Sequence, residues 1–413
     1  MTPHPLRSRR FQLLFAARSL SLLGDAVVPV ALAIAVWEAT RSSAALALLL
    51  VCAMAPRLLL LPVGGVVGDR LNARTIAAAT AVVRAAAQLF VGVQLLGGDP
   101  QLWQLAVAEG VGGVATAFAM PAFAPLVTGT VAAEQRQQAN AAIGAATSAA
   151  RLGGPPLAGL LLFAGAGEAF IAVGLGFAVS AVLMAAITVP HVVQDRRPFL
   201  ADLRQGWSEV RSRDWYWSSL IAHSVWNGAA AVFATLGPAV AMEDLGGKAA
   251  WVAITTAGGI GLLLGSLLAG RARPRRPVLT GNLGLAAYAI PLALLALPAP
   301  APVVVAGYGI AQAGLGFLNP VWQTTVQDAI PANVLARVTS YDWLLSLAAM
   351  PLGYALAPLA ADAWGRGAPL TVSAALVAAA CLGTALVPGV RRFTAVTPGS
   401  AAPRQEPAPV SSQ

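Results

Sequence analysis

Gly64-Gly65-Val66-Val67-Gly68-Asp69-Arg70-Leu71-Asn72-Ala73-Arg74 is the stretch on which the fold turns. It joins two apolar runs, about 43–66 and 74–96, each long enough to cross a bilayer, which takes about 20 apolar residues. A second copy lies 201 residues further on, Gly265-Ser266-Leu267-Leu268-Ala269-Gly270-Arg271-Ala272-Arg273-Pro274-Arg275, again between two such runs. Another pair recurs at an offset of 199: Phe118-x-x-Pro121 followed by Ala139-Asn140-Ala141, and Phe317-x-x-Pro320 followed by Val338-Thr339-Ser340. An internal repeat of nearly half the chain means two like-oriented halves. Parallel halves about a common axis are a transporter architecture, with the substrate site between them near the midplane.

Outward from that stretch, apolar runs follow one another along the chain. They lie at about 12–37, 43–66, 74–96, 101–126, 138–164, 167–190, 216–240, 249–270, 277–297, 302–326, 336–361 and 367–388. The sequence therefore predicts an all-α polytopic membrane protein with twelve transmembrane helices in two six-helix halves. Composition agrees: 57 % of the 413 residues are hydrophobic and only 10 % are charged, too few to cover a soluble protein of this length. The halves are expected at 1–190 and 217–390, with a central loop at 191–216 and a disordered tail at 391–413. Within the loop, Leu203, Trp207 and Val210 share one helical face and predict a short surface helix.

The net charge of +9 is an orientation signal, not a nucleic-acid one. Sorted by this topology, 19 basic residues fall on the side of both termini and only Arg41, Lys248 and Arg366 on the other. Such a bias predicts cytoplasmic termini. The Ala/Arg/Gly-rich composition with a single Lys suggests a GC-rich bacterial genome, and so a bacterial inner-membrane location. The two cysteines, Cys52 and Cys381, sit in apolar runs and imply no disulfide.

With these residues in view, Gly64–Arg74 resembles the G-x-x-x-D-R-x-x-x-R signature of the major facilitator superfamily. Gly65 stands at its first glycine, Asp69-Arg70 at its central pair and Arg74 at its last arginine. The resemblance implies a twelve-helix secondary transporter in which Gly65, Gly68, Asp69, Arg70 and Arg74 latch the outward-facing state. The second copy has Gly270 in place of the acid. Arg18-Ser19-Leu20-Ser21-Leu22-Leu23-Gly24-Asp25, Pro121-Ala122 and Arg337-Val338-Thr339-Ser340 are similar to the drug:proton antiporter-3 branch, which includes macrolide and siderophore exporters. Gly154-Pro155-Pro156-Leu157-Ala158-Gly159 resembles the antiporter motif, with Ala158 for one glycine. One departure stands out. Where drug exporters carry R-x-x-Q-G, this chain has Ala106-Val107-Ala108-Glu109-Gly110, so that arginine-based proton relay does not carry over.

Seven charges fall inside the runs away from their ends: Arg18, Asp25, Arg57, Arg84, Glu109, Arg151 and Asp342. A charge at the bilayer centre costs at least about 2.5 kcal/mol, so each needs a partner or a watery cavity. Asp25 and Glu109 are the candidates for proton coupling, because desolvation favours protonating a carboxylate and a nearby guanidinium opposes it. The competing reading pairs Asp25 permanently with Arg57, Arg84 or Arg151. Arg84 and Arg151 read as structural or gating partners, Arg57 alternatively as an attractor of anionic cargo, and Asp342 as a partner of Arg337.

Trp215, Tyr216, Trp217 and Trp251 read as an interfacial belt. Trp226, Asn227, Trp322 and Gln323 lie deeper and are cavity candidates, with helix packing the alternative. His223 reads as a packed, hydrogen-bonded imidazole. Gly112-Gly113 and Gly258-Gly259-x-Gly261 read as close helix contacts. No phosphate loop, metal cluster or catalytic serine motif is present, so neither an enzyme nor a cofactor is expected. The expected activity is proton-coupled export of an amphipathic drug, antibiotic or secondary metabolite by a monomer. The expected partners are the bilayer, a small-molecule substrate and protons. An importer or uniporter, or a non-transporting sensor or assembly protein, are the alternatives.

Overall fold

Each helix begins and ends on a local signal. Arg41, at φ 53°, closes α1 (Arg9–Thr40) in the left-handed region, and the Ser42 side chain caps α2 (Ser43–Arg70) by accepting from Ala45 N at 3.2 Å. The Asn72 side chain likewise opens α3 (Ala73–Leu96) by accepting from Arg74 N at 2.9 Å. The computed structural model describes residues 5–98, 100–132, 135–188, 207–272, 274–297, 299–330 and 332–394. The first half continues through α4 (Leu102–Thr130), α5 (Arg136–Leu162) and α6 (Ala166–Ala185). The second holds α7 (Asp214–Asp244), α8 (Lys248–Arg271), α9 (Pro277–Ala286), α10 (Ala289–Ala296), α11 (Ala301–Ala329), α12 (Ala332–Leu347), α13 (Met350–Trp364), α14 (Gly367–Gly383) and the short α15 (Pro388–Arg392). Among the described residues there is no strand.

Two spans that the sequence reads as continuous are broken. The ninth is α9 and α10, joined by a tight turn in which Tyr288 N donates to Leu285 O at 3.0 Å. The eleventh is α12 and α13, and Pro351 at the start of α13 brings no N–H to the ladder. Lipid cannot satisfy the backbone freed there. The Ser224 hydroxyl does so, accepting from Ala349 N at 3.3 Å. Residues 207–211 are helical, as the amphipathic pattern of the central loop predicts, whereas Leu203 and the tail from 395 lie outside the described residues. The following span starts at Asp214, a little before the expected 216.

Among the described residues, eleven helical segments are long and apolar enough to cross a membrane. The twelfth expected span, α5, is not among them. Its 27 residues suffice in length, but alanine, glycine, glutamine and Arg151 dilute its hydropathy. Small residues serve it differently, by close approach. A Cβ on Gly154 would meet Ala26 of α1, and one on Gly159 would lie 3.1 Å from Val252 of α8. Helix α5 is thus a seam between the two sets of helices.

The repeat in the sequence is a repeat of one contact. Gly64 of α2 lies against the backbone of Ala117 and Phe118 of α4. Gly265 of α8 lies against the backbone of Ala313 and Phe317 of α11. The two recurring motifs are therefore the two sides of one helix crossing, present once in each half.

Two apolar cores fill the fold. One, built on Phe11, Leu14, Ile76, Leu126 and Met184, holds the first half together at the end where the chain termini emerge. The other runs through the second half and, at the far end, also takes in Ile34, Leu46, Phe170 and Leu162 of the first. The halves therefore share a core at the far end and have separate ones at the termini end.

Candidate functional site

Five of the six charges inside the spans of the first half lie on α1 to α4, and the sixth, Arg151, is on α5. Arg18 and Asp25 lie seven residues apart and so share a face of α1. Arg84 of α3 forms an ion pair with Asp25, its Nη2 donating to Oδ1. The two partners differ in access, with the Arg84 side chain 12 % exposed and that of Asp25 40 %. Beneath the pair, the Arg84 guanidinium lies over the Phe177 ring of α6, 4.0 Å from its centroid. Gly24 makes room for that ring, since a Cβ there would lie 2.6 Å from it. Arg18 stacks over Phe123 at 3.9 Å, and Arg57 Nη2 donates to Met120 Sδ at 3.4 Å. Both arginines are within electrostatic reach of Asp25. One accessible carboxylate thus sits among three guanidinia. Of the three arginines named from the sequence as partners for Asp25, Arg84 takes the position.

Glu109 lies deeper, 6 % exposed on α4, and within electrostatic reach of Arg84. Gln88 Nε2 donates to its Oε1 at 3.2 Å, and no basic side chain among the described residues pairs with it. The other Gln88 amide atom, Oε1, has no partner. A carboxyl with a neutral partner in an apolar helix bundle suits a group that carries a proton for part of a cycle.

Between the halves lies a cavity of about 730 Å³, within the range that takes a drug-sized ligand. Trp226, Asn227, Trp322 and Gln323 all line it, together with Arg151 of α5 and Asp342 of α12. Asp342 Oδ2 accepts from the Trp322 indole at 2.7 Å and from the Tyr216 hydroxyl at 2.8 Å. Arg337, the partner expected from the sequence, has a side chain outside the described residues. Among the described residues, Asp342 Oδ2 rests on two neutral donors. The Tyr216 and Trp322 rings stack with 4° between planes and 5.3 Å between centroids, and His223 meets Trp322 edge-on at 4.8 Å. His223 Nε2 is hydrogen-bonded to Asn282 Oδ1 at 3.2 Å, and Asn282 Nδ2 donates to Ser219 Oγ at 2.9 Å. This chain of contacts presets the rings.

Tyr216 is the residue that sequence reasoning missed. The interfacial belt holds for Trp217, 43 % exposed, but Tyr216 is fully buried and Trp215 and Trp251 are buried too. A signal was available. Tyr216, Ser219, His223 and Trp226 fall three or four apart on one face of α7, while Trp217 and the exposed Ile221 mark another.

The far end of the cavity is closed. Lys248 Nζ bridges to Glu38 Oε1 at 2.6 Å between the start of α8 and the end of α1, and Arg366 lies 5.6 Å over the Trp37 ring. Arg366 also pairs with Glu243, whose hydrogen bond holds its guanidinium still more firmly charged. Gly259 of α8 fits against the backbone of Arg151 and Leu152, where a Cβ would lie 2.7 Å from the Arg151 carbonyl oxygen. The Glu38–Lys248 bridge is partly exposed and so contributes little stability, about 1 kcal/mol or less. Lys248→Ala is expected to transport as wild type. A Glu38→Cys/Lys248→Cys pair without Cys52 and Cys381 is expected to lose transport when a short thiol cross-linker is added. Unchanged flux in the cross-linked protein would show that this end need not open.

Residues 14–342 match the model of the Major Facilitator Superfamily. The chain belongs to the major facilitator superfamily. This family member is 22 % identical over 393 residues to macrolide efflux protein A of Streptococcus pyogenes, a match covering 93 % of this chain and 97 % of that one. Its fold superposes with a TM-score of 0.73 on a bacterial homologue of the human lysosomal transporter Spinster in an inward-facing, unoccupied conformation, at 14 % identity over 95 % of this chain and 98 % of that one. The nucleoside transporter NupG also reaches 0.73, at 11 % identity over 91 % of this chain and 99 % of that one. As a major facilitator transporter it is a multi-pass membrane protein that carries small molecules across the bilayer.

Proposed function

We propose that this transporter is a proton-coupled exporter of an amphipathic small molecule, working by alternating access in a bacterial inner membrane with both termini in the cytoplasm. The observation that carries the reading is the accessible Asp25 carboxylate beside the buried Arg84 guanidinium. A proton arriving at Asp25 would release Arg84 to Phe177 alone, and its departure would restore the pair. Residues 1–190 rock against 217–390 in this reading, and the cavity fills from the cytoplasm when the far end is sealed. Macrolide efflux protein A, similar along nearly its whole length, supports export. The basic excess on the termini side supports the orientation. The seam helix α5 ties the two events together, because Gly154 packs on Ala26, next to Asp25, while Gly159 packs on Val252 of α8 in the other half. Pro155 and Pro156 lie between these two contacts. Gly65, Gly68, Asp69 and Arg70, whose side chains lie outside the described residues, and Arg74 would latch the opposite, outward-facing state.

Proteoliposomes with inside-out transporter test it. An acid interior should drive accumulation of an amphipathic macrolide, and dissipating the gradient should abolish it. Glu109→Gln is expected to cut this accumulation about tenfold with normal protein levels, as loss of a buried proton carrier requires. Accumulation that ignores the gradient, or that follows the opposite gradient, overturns coupled export.

A further inference from the structure

The carboxylate in the cavity has the surroundings of a ligand group rather than of an ion pair. Oδ2 of Asp342 is held by Tyr216 and Trp322, whereas among the described residues Oδ1 has only the Ser346 hydroxyl at 3.4 Å, long for an O–H···O bond. No basic side chain among the described residues pairs with it. One oxygen is therefore fixed and the other is left to the cavity. Aromatic faces surround it. Trp322 is stacked and hydrogen-bonded in place, Trp343 lies half exposed in the same lining, and Trp226 lines it with an indole N–H that has no partner. Among the described residues, apart from His223, which edges Trp322, the only basic residue in the lining is Arg151, on the wall formed by the other half. The cavity thus has a negative pole on α12 and a positive one on α5.

We propose that Asp342, Trp322 and Trp343 form a recognition site for an amphipathic organic cation, a protonated tertiary amine or a quaternary ammonium or phosphonium group. The charge sits against Oδ1 and the indole faces, and the apolar body lies along Leu315 and Leu318. A carboxylate and an aromatic face both favour a weakly hydrated organic cation over a neutral molecule, and the low dielectric strengthens both. Tyr216 and Trp322 position the carboxylate. The proposal rests on the reading of this cavity as the transport cavity.

Equilibrium binding to the purified full-length protein tests it, with no gradient present. Tetraphenylphosphonium serves as a permanent cation without hydrogen-bond donors, and triphenylphosphine oxide as a neutral probe of similar bulk. Asp342→Asn is expected to weaken the cation about tenfold or more and the neutral probe less than about twofold, the difference that a charge contact with aromatic support makes. Trp343→Ala, at a half-exposed position that does not build the core, is expected to weaken the cation several-fold and carries the test should Asp342→Asn fail to fold. Three results overturn the proposal: wild-type protein that does not bind the cation, variants that bind it unchanged, or variants that lose both probes equally. Because no gradient is used, failure of proton-driven export leaves a positive binding result standing. Loss of the cation site in turn leaves export of a neutral cargo standing.

Discussion

Gly113→Leu is expected to leave little folded transporter in the membrane, while Gly112→Leu, one residue earlier on the same helix, is expected to accumulate as wild type. Both glycines sit in α4, and replacing either raises helix propensity by up to about 1 kcal/mol, so propensity cancels in the comparison. Packing does not cancel. A Cβ on Gly113 would fall on the backbone of Ala53 in α2, 3.0 Å from its carbonyl carbon and 3.3 Å from its Cα, and closer still to the carbonyl oxygen. At Gly112 nothing lies within 4 Å. Overpacking against movable side chains costs about 1–3 kcal/mol. Here the obstacle is backbone, which cannot rotate aside, so α2 and α4 must part along their crossing. That crossing includes Gly64 against Ala117, and its counterpart in the other half is Gly265 against Ala313. A loss of even about 1–2 kcal/mol changes steady-state abundance several-fold. Fluorescence-detected size-exclusion chromatography of tagged variants reads the outcome. Equal monodisperse peaks for the two variants would mean that the α2–α4 crossing tolerates separation.

The pair Gly112-Gly113 also shows what a sequence can and cannot display. Two adjacent glycines in an apolar run announce a close helix contact, and there is one, but only the partner helix decides which of them makes it. The repeat was fully legible because it encodes a contact: the glycine on one helix and the Phe-x-x-Pro segment on the other recur together, at offsets of 201 and 199. Helix α5 was legible as a run and not as a hydropathy peak. Its alanines and glycines serve approach to Ala26 and Val252. For the charges, the rule that an intramembrane charge needs a partner reduced Asp25 to three candidate arginines, but only the placement of α3 selects Arg84. For Asp342 that rule offered Arg337, whose side chain lies outside the described residues. The neutral donors found among the described residues were not legible: Tyr216 stands 126 residues away, so no local pattern links it to Asp342.

Asp25→Asn is expected to abolish proton-driven accumulation, to below about a tenth of wild type, while leaving substrate exchange down its own gradient intact. The reasoning separates coupling from adhesion. If the Asp25–Arg84 pair only joins α1 to α3, removing either partner strands a charge, and breaking a fully buried pair in that way costs about 3–5 kcal/mol. The pair is not fully buried, since the Asp25 side chain is 40 % exposed. Solvent screens the accessible carboxylate and brings the cost of its loss below that range, although Arg18, Arg57 and Arg84 then lose a shared counter-charge. Arg84, moreover, retains the Phe177 face at 4.0 Å when its carboxylate partner is gone. The Asp25→Asn variant is therefore expected to fold, to bind and to exchange substrate, and to lack only the group that takes up a proton. Arg84→Leu removes the buried member and is expected to lower folded yield more than Asp25→Asn does. In the double variant the yield should not fall further, because no charged partner is then left behind by the second change. Counterflow in proteoliposomes measures exchange, and accumulation under an imposed proton gradient measures coupling. Adhesion alone predicts that both fall together with yield. Retained gradient-driven accumulation in Asp25→Asn would remove Asp25 from the proton path and leave Glu109 as the remaining buried carboxyl of the first half.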